Sequence, residues 1–250
     1  MRNSADDRSE MISQLLFGEL VEIYKKKKKS WLKVISAHDE YLGWIDKKHV
    51  HIISKKEFDK LLGCNTLALD WVNPAVSKGK SIPIVAGSNL HHFDGLTFKS
   101  SFGRFQYSGQ IIDATKLEIS RDLISKLSKQ YLNAPYLWGG RSPFGIDCSG
   151  YTQMIYKMLG YDLPRDSSEQ VELGETVDFN VDTQIGDLAF FVNKENRIIH
   201  VGILLEENKI IHASGWVRID TLDHFGIFNE ETQKYTHVLR IIKRILPVRF

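Results

Sequence analysis

Residues 147 to 160 read DCSGYTQMIYKMLG and predict a helix with a cysteine at its start. The apolar residues of this stretch recur three and four positions apart, which is the spacing of one helical face. They are Tyr151, Met154, Ile155, Met158 and Leu159. The helix is predicted to begin at Asp147, and Gly160 stands where a terminating glycine belongs. Cys148 is therefore expected in the first turn of a helix.

The sequence on either side of this helix predicts an α+β domain. Ser120 is placed to cap an earlier helix with apolar periodicity, and Pro135 closes that segment. Four strand-like runs come after Pro164, at Gly186–Val192, Ile198–Leu205, Lys209–Ser214 and His237–Ile242. Helices followed by a series of antiparallel strands are typical of α+β folds. We place this domain at residues 116–250.

The first 115 residues predict short strands rather than helices. Apolar and aromatic runs of about five residues alternate with turns that contain Lys, Asp or Gly. The runs of the first half are Leu20–Tyr24, Trp31–Ile35 and Tyr41–Ile45. Those of the second half are Ile82–Val85, Leu96–Phe98, Phe105–Tyr107 and Ile111–Ile112. Such short strands are typical of small barrels, and we expect two of them, at residues 1–55 and 64–115.

The composition is that of an ordinary soluble protein with a core. Of the 250 residues, 42% are hydrophobic and 26% are charged, and the formal net charge is +2, so no overall field favours nucleic acid. The lysine run Lys25–Lys29 is expected to be a solvated loop tip. No apolar stretch approaches the ~20 residues of a membrane helix, and no signal-peptide core follows Met1–Glu10. We expect no nucleic-acid or membrane partner and a cytoplasmic location, or a periplasmic or secreted one if a leader was removed, while the oligomeric state stays open.

Cys148 is the residue best placed to act as a nucleophile. The unpaired N–H groups at a helix N-terminus favour an anion, so we expect the pKa of this thiol to be lowered. Ser149 and Gly150 leave little bulk beside the sulfur. The alternative is a buried cysteine that packs as a small hydrophobic side chain, which is the interpretation we give Cys64. Two cysteines cannot form a disulfide framework, and they are too few for a cysteine-based zinc site.

Two histidines are predicted to lie where they could assist a thiolate. His200 and His212 fall in strands joined by a short turn around Glu206–Asn208. A three-residue loop would pair Leu205 with Lys209 and place both rings on one face of the sheet, one diagonal step apart. One histidine could then act as a base and the other orient it. An even-numbered loop would place them on opposite faces, as ordinary strand histidines. No metal is expected, because no two histidines have H-x-x-x-H spacing.

Ordered sequence blocks between residues 118 and 245 resemble the NlpC family of papain-like cysteine peptidases. The blocks are YLWGG at 136–140, DCSG at 147–150, HVG at 200–202, IHAS at 211–214, PRDSS at 164–168 and GDL at 186–188. The resemblance implies that Cys148 is the nucleophile, His200 the base and His212 the orienting group. A helix-start N–H at Cys148 and the Tyr136 hydroxyl would then stabilise the oxyanion. No metal or organic cofactor is implied.

The upstream half resembles bacterial SH3 domains. Blocks at 9–11, 18–19 and 41–45, together with Trp31, carry the resemblance to the first of two such modules. The whole arrangement is similar to murein-peptide endopeptidases that cleave between γ-D-glutamate and an L-diamino acid. That similarity implies roles in substrate binding for six residues. They are Ser149 and Ser167 for the D-glutamate carboxylate, Asp166 and Glu10 for a free N-terminal ammonium, and Tyr41 and Trp138 along the cleft.

The sequence thus predicts an α+β protein in which two small SH3-like β-barrels precede a papain-like cysteine peptidase domain. The expected substrate is a murein tripeptide or tetrapeptide, L-Ala-γ-D-Glu followed by a diamino acid, cleaved through a thioester during peptidoglycan recycling. Diaminopimelate and lysine are both open at the third position. The competing hypotheses are a non-catalytic murein-binding protein, and an amidase or acyltransferase with the same cysteine–histidine chemistry.

Overall fold

The chain folds into two compact units, each assembled from two stretches of sequence. The computed structural model describes residues 1–27, 30–178, 183–206 and 208–247. Unit 1 consists of Met1–Leu117 and Trp138–Pro143, and unit 2 of Glu118–Leu137 and Phe144–Phe250. The loop Trp138–Pro143 thus belongs to unit 1, although the sequence on both sides of it belongs to unit 2. No pattern in the sequence predicted that this loop belongs to unit 1, and the three domain ranges stay predictions.

Three antiparallel strands form a sheet near the start of unit 1, in the order β1 (Val21–Lys27), β2 (Trp31–Ser36) and β3 (Leu42–Asp46). The three runs predicted here fall on these strands, and a 3₁₀ turn follows at Lys47–His49. Lys25, Lys26 and Lys27 are exposed residues of β1, so the predicted loop tip is wrong for them, because β1 extends further than its apolar run. Lys28 and Lys29 lie outside the described residues. Lysines on an edge strand discourage pairing with other sheets.

The second half of unit 1 contains one helix and six strands. They are α1 (Lys55–Leu61), β4 (Thr66–Ala68), β5 (Val72–Ser77), β6 (Lys80–Val85), β7 (Thr97–Ser100), β8 (Gly103–Tyr107) and β9 (Ile111–Asp113), followed by a 3₁₀ turn at Ala114–Lys116. Strands β6, β5, β8 and β7 form one sheet in that order, and β4 pairs with β9. The sequence predicted neither β4 nor β5, and β5 contains Pro74, a residue that is rare in central strands. A second SH3-like barrel stays a prediction.

A buried ion pair fixes the loop Trp138–Pro143 within unit 1. The guanidinium of Arg141 donates to both carboxylate oxygens of Glu19, at 2.9 Å each, and the exposed fractions of the two side chains are 1% and 3%. Arg141 also donates to the backbone oxygen of Gln14 at 2.8 Å. Gly139 adopts a φ of +75°, and a Cβ there would lie 2.4 Å from the backbone oxygen of Met11. The loop therefore requires both a glycine and a paired arginine.

The described part of unit 2 contains three helices: α2 (Arg121–Lys129), α3 (Cys148–Met158) and α4 (Ser167–Gln170). The predicted start of α3 is confirmed, since the Asp147 carboxylate caps it and accepts from the Gly150 N–H at 2.7 Å. However, every residue of α3 is buried, whereas the sequence predicted one apolar face. The buried side-chain amide of Gln153 donates to the backbone oxygen of Leu163 at 2.9 Å. No helix in the described ranges has the length and apolar character that crossing a membrane requires.

One antiparallel sheet makes up most of unit 2. Two short strands precede it in the chain, β10 (Arg141–Ser142) in the loop that belongs to unit 1 and β11 (Gly145–Ile146) in unit 2. The members of the sheet are β12 (Glu175–Val177), β13 (Leu188–Val192), β14 (Ile198–Leu204), β15 (Lys209–Ser214), β16 (Trp216–Leu222), β17 (Gly226–Asn229) and β18 (Lys234–Arg244). Their order is β12-β18-β13-β14-β15-β16-β17, and β18 also pairs with β17, so the sheet closes on itself. The sequence predicted four of these strands and missed β12, β16 and β17. Unit 2 is α+β, as expected.

Candidate active site

Cys148 is the first residue of α3 and is buried. The backbone N–H groups of Val201 and Ser149 favour the ionised form of its sulfur, so both lie near it. Because Val201 directly follows His200 on β14, the thiol lies against the strand that carries the predicted base. Helix α3 packs against strand β14, although Cys148 and His200 are 52 positions apart in the sequence.

Asp147 and Arg165 form a buried ion pair behind the cysteine. The guanidinium of Arg165 donates to both oxygens of the Asp147 carboxylate, at 3.0 and 2.6 Å. A third bond, at 2.9 Å, reaches the hydroxyl oxygen of Ser149. The side-chain exposed fractions are 1% for Arg165 and 7% for Asp147. Since the same carboxylate caps α3, this pair fixes the start of the helix and thereby the backbone on either side of the sulfur.

His200 and His212 face each other on neighbouring strands. Leu205 donates its N–H to the Lys209 oxygen at 2.8 Å, and Gly202 pairs with His212 in the ladder. The predicted odd-numbered loop and the diagonal placement of the two rings are thus confirmed, although Glu207 itself lies outside the described residues. The Nε2 atom of His200 is 2.8 Å from the Nδ1 atom of His212, and both side chains are buried.

The hydrogen-bond chain continues beyond His212 to an aspartate. The Nε2 atom of His212 is 3.0 Å from Oδ2 of Asp220, which lies on β16 and is buried. Arg218 holds this carboxylate from the other side, with Nε 2.8 Å from Oδ2 and a second nitrogen 2.9 Å from Oδ1. The site is therefore one continuous chain of groups across three strands.

A third histidine covers the ring of His200. The rings of His237 and His200 stack with centroids 4.1 Å apart and an interplanar angle of 23°. Burial lowers the pKa of His237 to about 4, so this ring is neutral near pH 7. The edge of Phe191 also contacts His237, with centroids 5.9 Å apart. The His200 ring is thus restrained on one face by a neutral aromatic partner.

Burial determines the protonation states of Cys148 and His200. It raises the pKa of Cys148 to about 12, and the charge of Asp147 adds to the rise, while two backbone N–H groups act in the opposite direction. Burial also lowers the pKa of His200 well below its ordinary value, and the two neighbouring imidazoles lower it further. The resting pair is a neutral thiol and a neutral imidazole. The lowered thiol pKa expected from the helix start is wrong, because loss of hydration outweighs the favourable field there.

Tyr136 lies beside the start of α3 in unit 2. Its backbone forms a parallel bridge with Ile146, and its N–H donates to the Gly215 oxygen at 2.9 Å. Burial raises the pKa of Tyr136 to about 12, and the neighbouring Cys148 and Asp147 disfavour its ionised form further. The phenol therefore remains a proton donor at neutral pH, near the position of the sulfur.

Three of the predicted substrate-binding residues belong to unit 1. The indole N–H of Trp138 donates to Oε1 of Glu10 at 2.8 Å, so the structure brings these two together. Trp138 is largely exposed. Tyr41 directly precedes β3 and is half-buried. An indole that holds one carboxylate oxygen leaves the other to bind a cation.

The other three predicted substrate-binding residues belong to unit 2. Asp166 occupies the N-cap position of α4, and Ser167 is its first residue. Both are half-buried. The Ser149 hydroxyl is buried in the ion pair described above and donates to Oδ1 of Asp147 at 3.4 Å. Among the described residues, no group of three or more His, Cys, Asp or Glu side chains is arranged to hold a metal ion.

Three residues of the site were not predicted to take part in it. Arg165 stands inside the PRDSS block, and His237 begins a predicted strand, but neither position showed which partner it would meet. Asp220 lies in the run WVRIDTL at 216–222, whose β-branched and apolar residues are a recognisable strand pattern. Recognising that strand would have placed Asp220 beside the strand of His212.

Comparisons with known proteins show which families the chain resembles. The model of the NlpC/P60 family matches residues 133–238, and that of the bacterial dipeptidyl-peptidase SH3 domain matches residues 1–50. A gamma-D-glutamyl-L-lysine dipeptidyl-peptidase of Bacillus subtilis (strain 168) is 31% identical over 226 residues, which are 80% of this chain and 71% of that protein. Dipeptidyl-peptidase 6 of Lysinibacillus sphaericus is 28% identical over 253 residues, covering 87% and 86%.

A solved structure shows the same architecture. The crystal structure of an NlpC/P60 family protein from Bacillus cereus ATCC 10987 superimposes with a TM-score of 0.77 at 25% identity, over 94% of this chain and 82% of that one. The papain-like α+β fold with an N-terminal SH3-like domain is therefore confirmed. With a helix-start cysteine against a strand histidine, and with these relatives, the chain belongs to the NlpC/P60 family and is a cysteine-type peptidase.

Proposed function

We propose that this peptidase hydrolyses the γ-D-glutamyl–L-diamino-acid bond of murein peptides that begin with a free L-Ala. The observation that carries the proposal is the buried Cys148–His200–His212 arrangement in a chain similar, over four-fifths of its length, to a gamma-D-glutamyl-L-lysine dipeptidyl-peptidase. Diaminopimelate and lysine at the third position both fit this proposal.

The proposed reaction consists of two acyl transfers through a thioester. His200 takes the proton of Cys148 as the sulfur attacks the γ-carbonyl carbon, and it returns that proton to the amino group of the diamino acid as the C–N bond breaks. Water then attacks the thioester with His200 again as base, which releases the dipeptide and restores the thiol. Because both groups are neutral at rest, the proton moves during the attack rather than before it.

Tyr136 is the proposed side-chain donor to the oxyanion of both tetrahedral intermediates, beside the backbone N–H of Cys148. Its phenol stays protonated at neutral pH. For Tyr136→Phe we expect kcat to fall by about 10²–10³-fold, the effect of removing one oxyanion donor, with little change in KM. Steady-state kinetics on the tripeptide measure this. Tyr235→Phe, which removes the half-exposed hydroxyl bonded to Asp223, is the control and should keep wild-type kcat. A wild-type kcat for Tyr136→Phe would exclude the oxyanion role.

The proposed recognition of the N-terminal ammonium rests on carboxylates. In unit 2, Asp166 would accept charge-assisted hydrogen bonds from the ammonium, and Ser149 and Ser167 are proposed for the D-glutamate carboxylate. Glu10, which accepts from the Trp138 indole, and Tyr41 belong to unit 1 and stay predictions from the resemblance. A free L-Ala amine exists only in peptides already released from the glycan. Such a requirement favours soluble fragments as substrates, and therefore recycling inside the cell over lysis of intact wall.

The decisive experiment compares two peptides that differ by one acetyl group. L-Ala-γ-D-Glu-diaminopimelate is incubated with the enzyme beside its N-acetylated form, and the products are identified by mass spectrometry. We expect cleavage of the free peptide alone, because acetylation removes the positive charge. Cleavage of both peptides would contradict the ammonium recognition and the recycling role. Cleavage of neither, with Cys148 still open to alkylation, would contradict the proposed bond and favour an amidase or acyltransferase.

A further inference from the structure

We propose that Asp220 is a positioning residue of the catalytic machinery, whose carboxylate sets the tautomer of His212 and, through His212, that of His200. This inference rests on the proposed function, because it describes how the same cysteine loses its proton. Neither the family resemblance nor the sequence pattern assigned Asp220 a role. Its place on the strand next to His212 supplies the argument.

The geometry connects the aspartate to the base by two hydrogen bonds in series. Asp220 Oδ2 lies 3.0 Å from His212 Nε2, and His212 Nδ1 lies 2.8 Å from His200 Nε2. The three side chains lie on three neighbouring strands, and their exposed fractions are 6% or less. Both nitrogens of the His212 ring are therefore engaged by protein groups in the absence of bulk water.

The carboxylate fixes the direction of both bonds. An ionised carboxylate only accepts, so His212 must carry its proton on Nε2. Burial lowers the pKa of His212, against the opposite influence of Asp220, and the ring is neutral. Its Nδ1 is then an acceptor, which requires His200 to carry its proton on Nε2. The remaining nitrogen of His200, Nδ1, is thereby left unprotonated and free to take the proton of Cys148.

Arg218 keeps the carboxylate ionised and oriented. Burial alone would raise the pKa of Asp220, but hydrogen bonds from His212 and Arg218 bring it below its ordinary value. The fork of Arg218 engages both oxygens, at 2.8 and 2.9 Å, and a weaker contact of 3.5 Å joins Arg218 to Glu231. When His200 becomes an imidazolium during attack, Asp220 supplies the negative charge at the far end of the chain.

Asp220→Asn tests the proposal with nearly unchanged shape. An amide in either orientation lacks the charge, and in one orientation it donates to His212 and reverses the tautomers of both rings. We expect kcat to fall by about 10²-fold with KM within about threefold, since an incorrect tautomer at a catalytic histidine costs up to about 10⁴-fold. Asp220→Ala should lose at least as much. Asp223→Asn is the control, a carboxylate outside the chain of rings that caps a turn, and it should keep wild-type kcat.

The pH profile separates positioning from a merely structural role. The titratable or charged groups around the two rings are Cys148 on α3, His237 on β18, and Asp220 and Arg218 on β16. Loss of the carboxylate destabilises the imidazolium, so the acid limb of kcat/KM should move to lower pH in Asp220→Asn. A structural role would lower the melting temperature and leave this limb in place. A folded Asp220→Asn enzyme with wild-type kcat and an unmoved limb would overturn the proposal.

A second readout does not depend on the peptide substrate. In a Cys64→Ala background, the rate of alkylation of Cys148 by iodoacetamide at pH 7 reports how readily the thiol transfers its proton. We expect Asp220→Asn to slow this rate by about tenfold or more, and Asp223→Asn to leave it unchanged. If the wild-type enzyme fails to cleave the murein tripeptide, the proposed substrate is wrong, but the alkylation rates still decide the role of Asp220. Equal rates in the wild-type and Asp220→Asn proteins would count against it.

Discussion

Cys148→Ala should lower kcat on the murein tripeptide by about 10⁶-fold, the size of effect seen when an enzyme loses its nucleophile. Without the sulfur no thioester forms. His200 then has no thiol proton to take, and Tyr136 has no oxyanion of a covalent intermediate to stabilise. The sulfur is buried but small, so the fold and the binding of the peptide should persist. Product formation is followed by mass spectrometry, and binding by isothermal titration calorimetry.

Cys64→Ala provides the matched control for this experiment. Cys64 belongs to unit 1 and is only partly buried, and its thiol lies 3.9 Å from the Thr66 oxygen. We expect this variant to keep wild-type kcat and KM. A Cys148→Ala protein that binds the tripeptide and still turns it over at the wild-type rate would exclude a thioester mechanism. Loss of binding as well as turnover would show that the sulfur also holds the substrate.

Arg165→Met should lower the free energy of unfolding by about 3–5 kcal/mol, the usual consequence of removing one partner of a buried ion pair. The Asp147 carboxylate would stay buried with its charge uncompensated, at the residue that caps α3. Urea unfolding followed by circular dichroism measures the loss. We also expect Arg165→Met to be less active than the wild type at urea concentrations near the midpoint of its unfolding, because the capped end of α3 carries Cys148.

Two further variants test the origin of that loss. Arg121→Met removes an exposed arginine 3.3 Å from Glu206, and it should change the unfolding free energy by no more than about 0.5 kcal/mol. Asp147→Asn combined with Arg165→Met removes both charges and keeps a good capping side chain, so it should be more stable than Arg165→Met alone. An Arg165→Met protein as stable as wild type would mean that the pair does not hold the helix start.

The parts of the site that depend on residues close together in the sequence could be predicted from the sequence. The start of α3 was predictable from the apolar spacing after Asp147, since capping and periodicity act within a few residues. The relation of His200 to His212 followed from the length of one turn. Both predictions concern contacts within about a dozen positions of sequence, where geometry leaves few alternatives.

The remaining parts of the site depend on burial and on distant contacts. The thiol pKa was predicted in the wrong direction because the sequence shows the helix terminus but not the full burial of α3. Arg165 meets Asp147 across 18 positions, and His237 reaches His200 only because β18 closes the sheet. Such pairings are set by the packing of whole elements, which no local pattern specifies.

The assignment of Trp138–Pro143 to unit 1 bears on how such a protein can evolve. Modular enzymes exchange domains when a single crossover in the gene separates two complete folds. Here a crossover near residue 117 would transfer the peptidase together with six residues that fold with the other module. Arg141 would be transferred without Glu19, and its guanidinium would lose the carboxylate that pairs with it. An exchange of the first module would therefore preserve this ion pair only if the new module supplied an acidic residue in the place of Glu19.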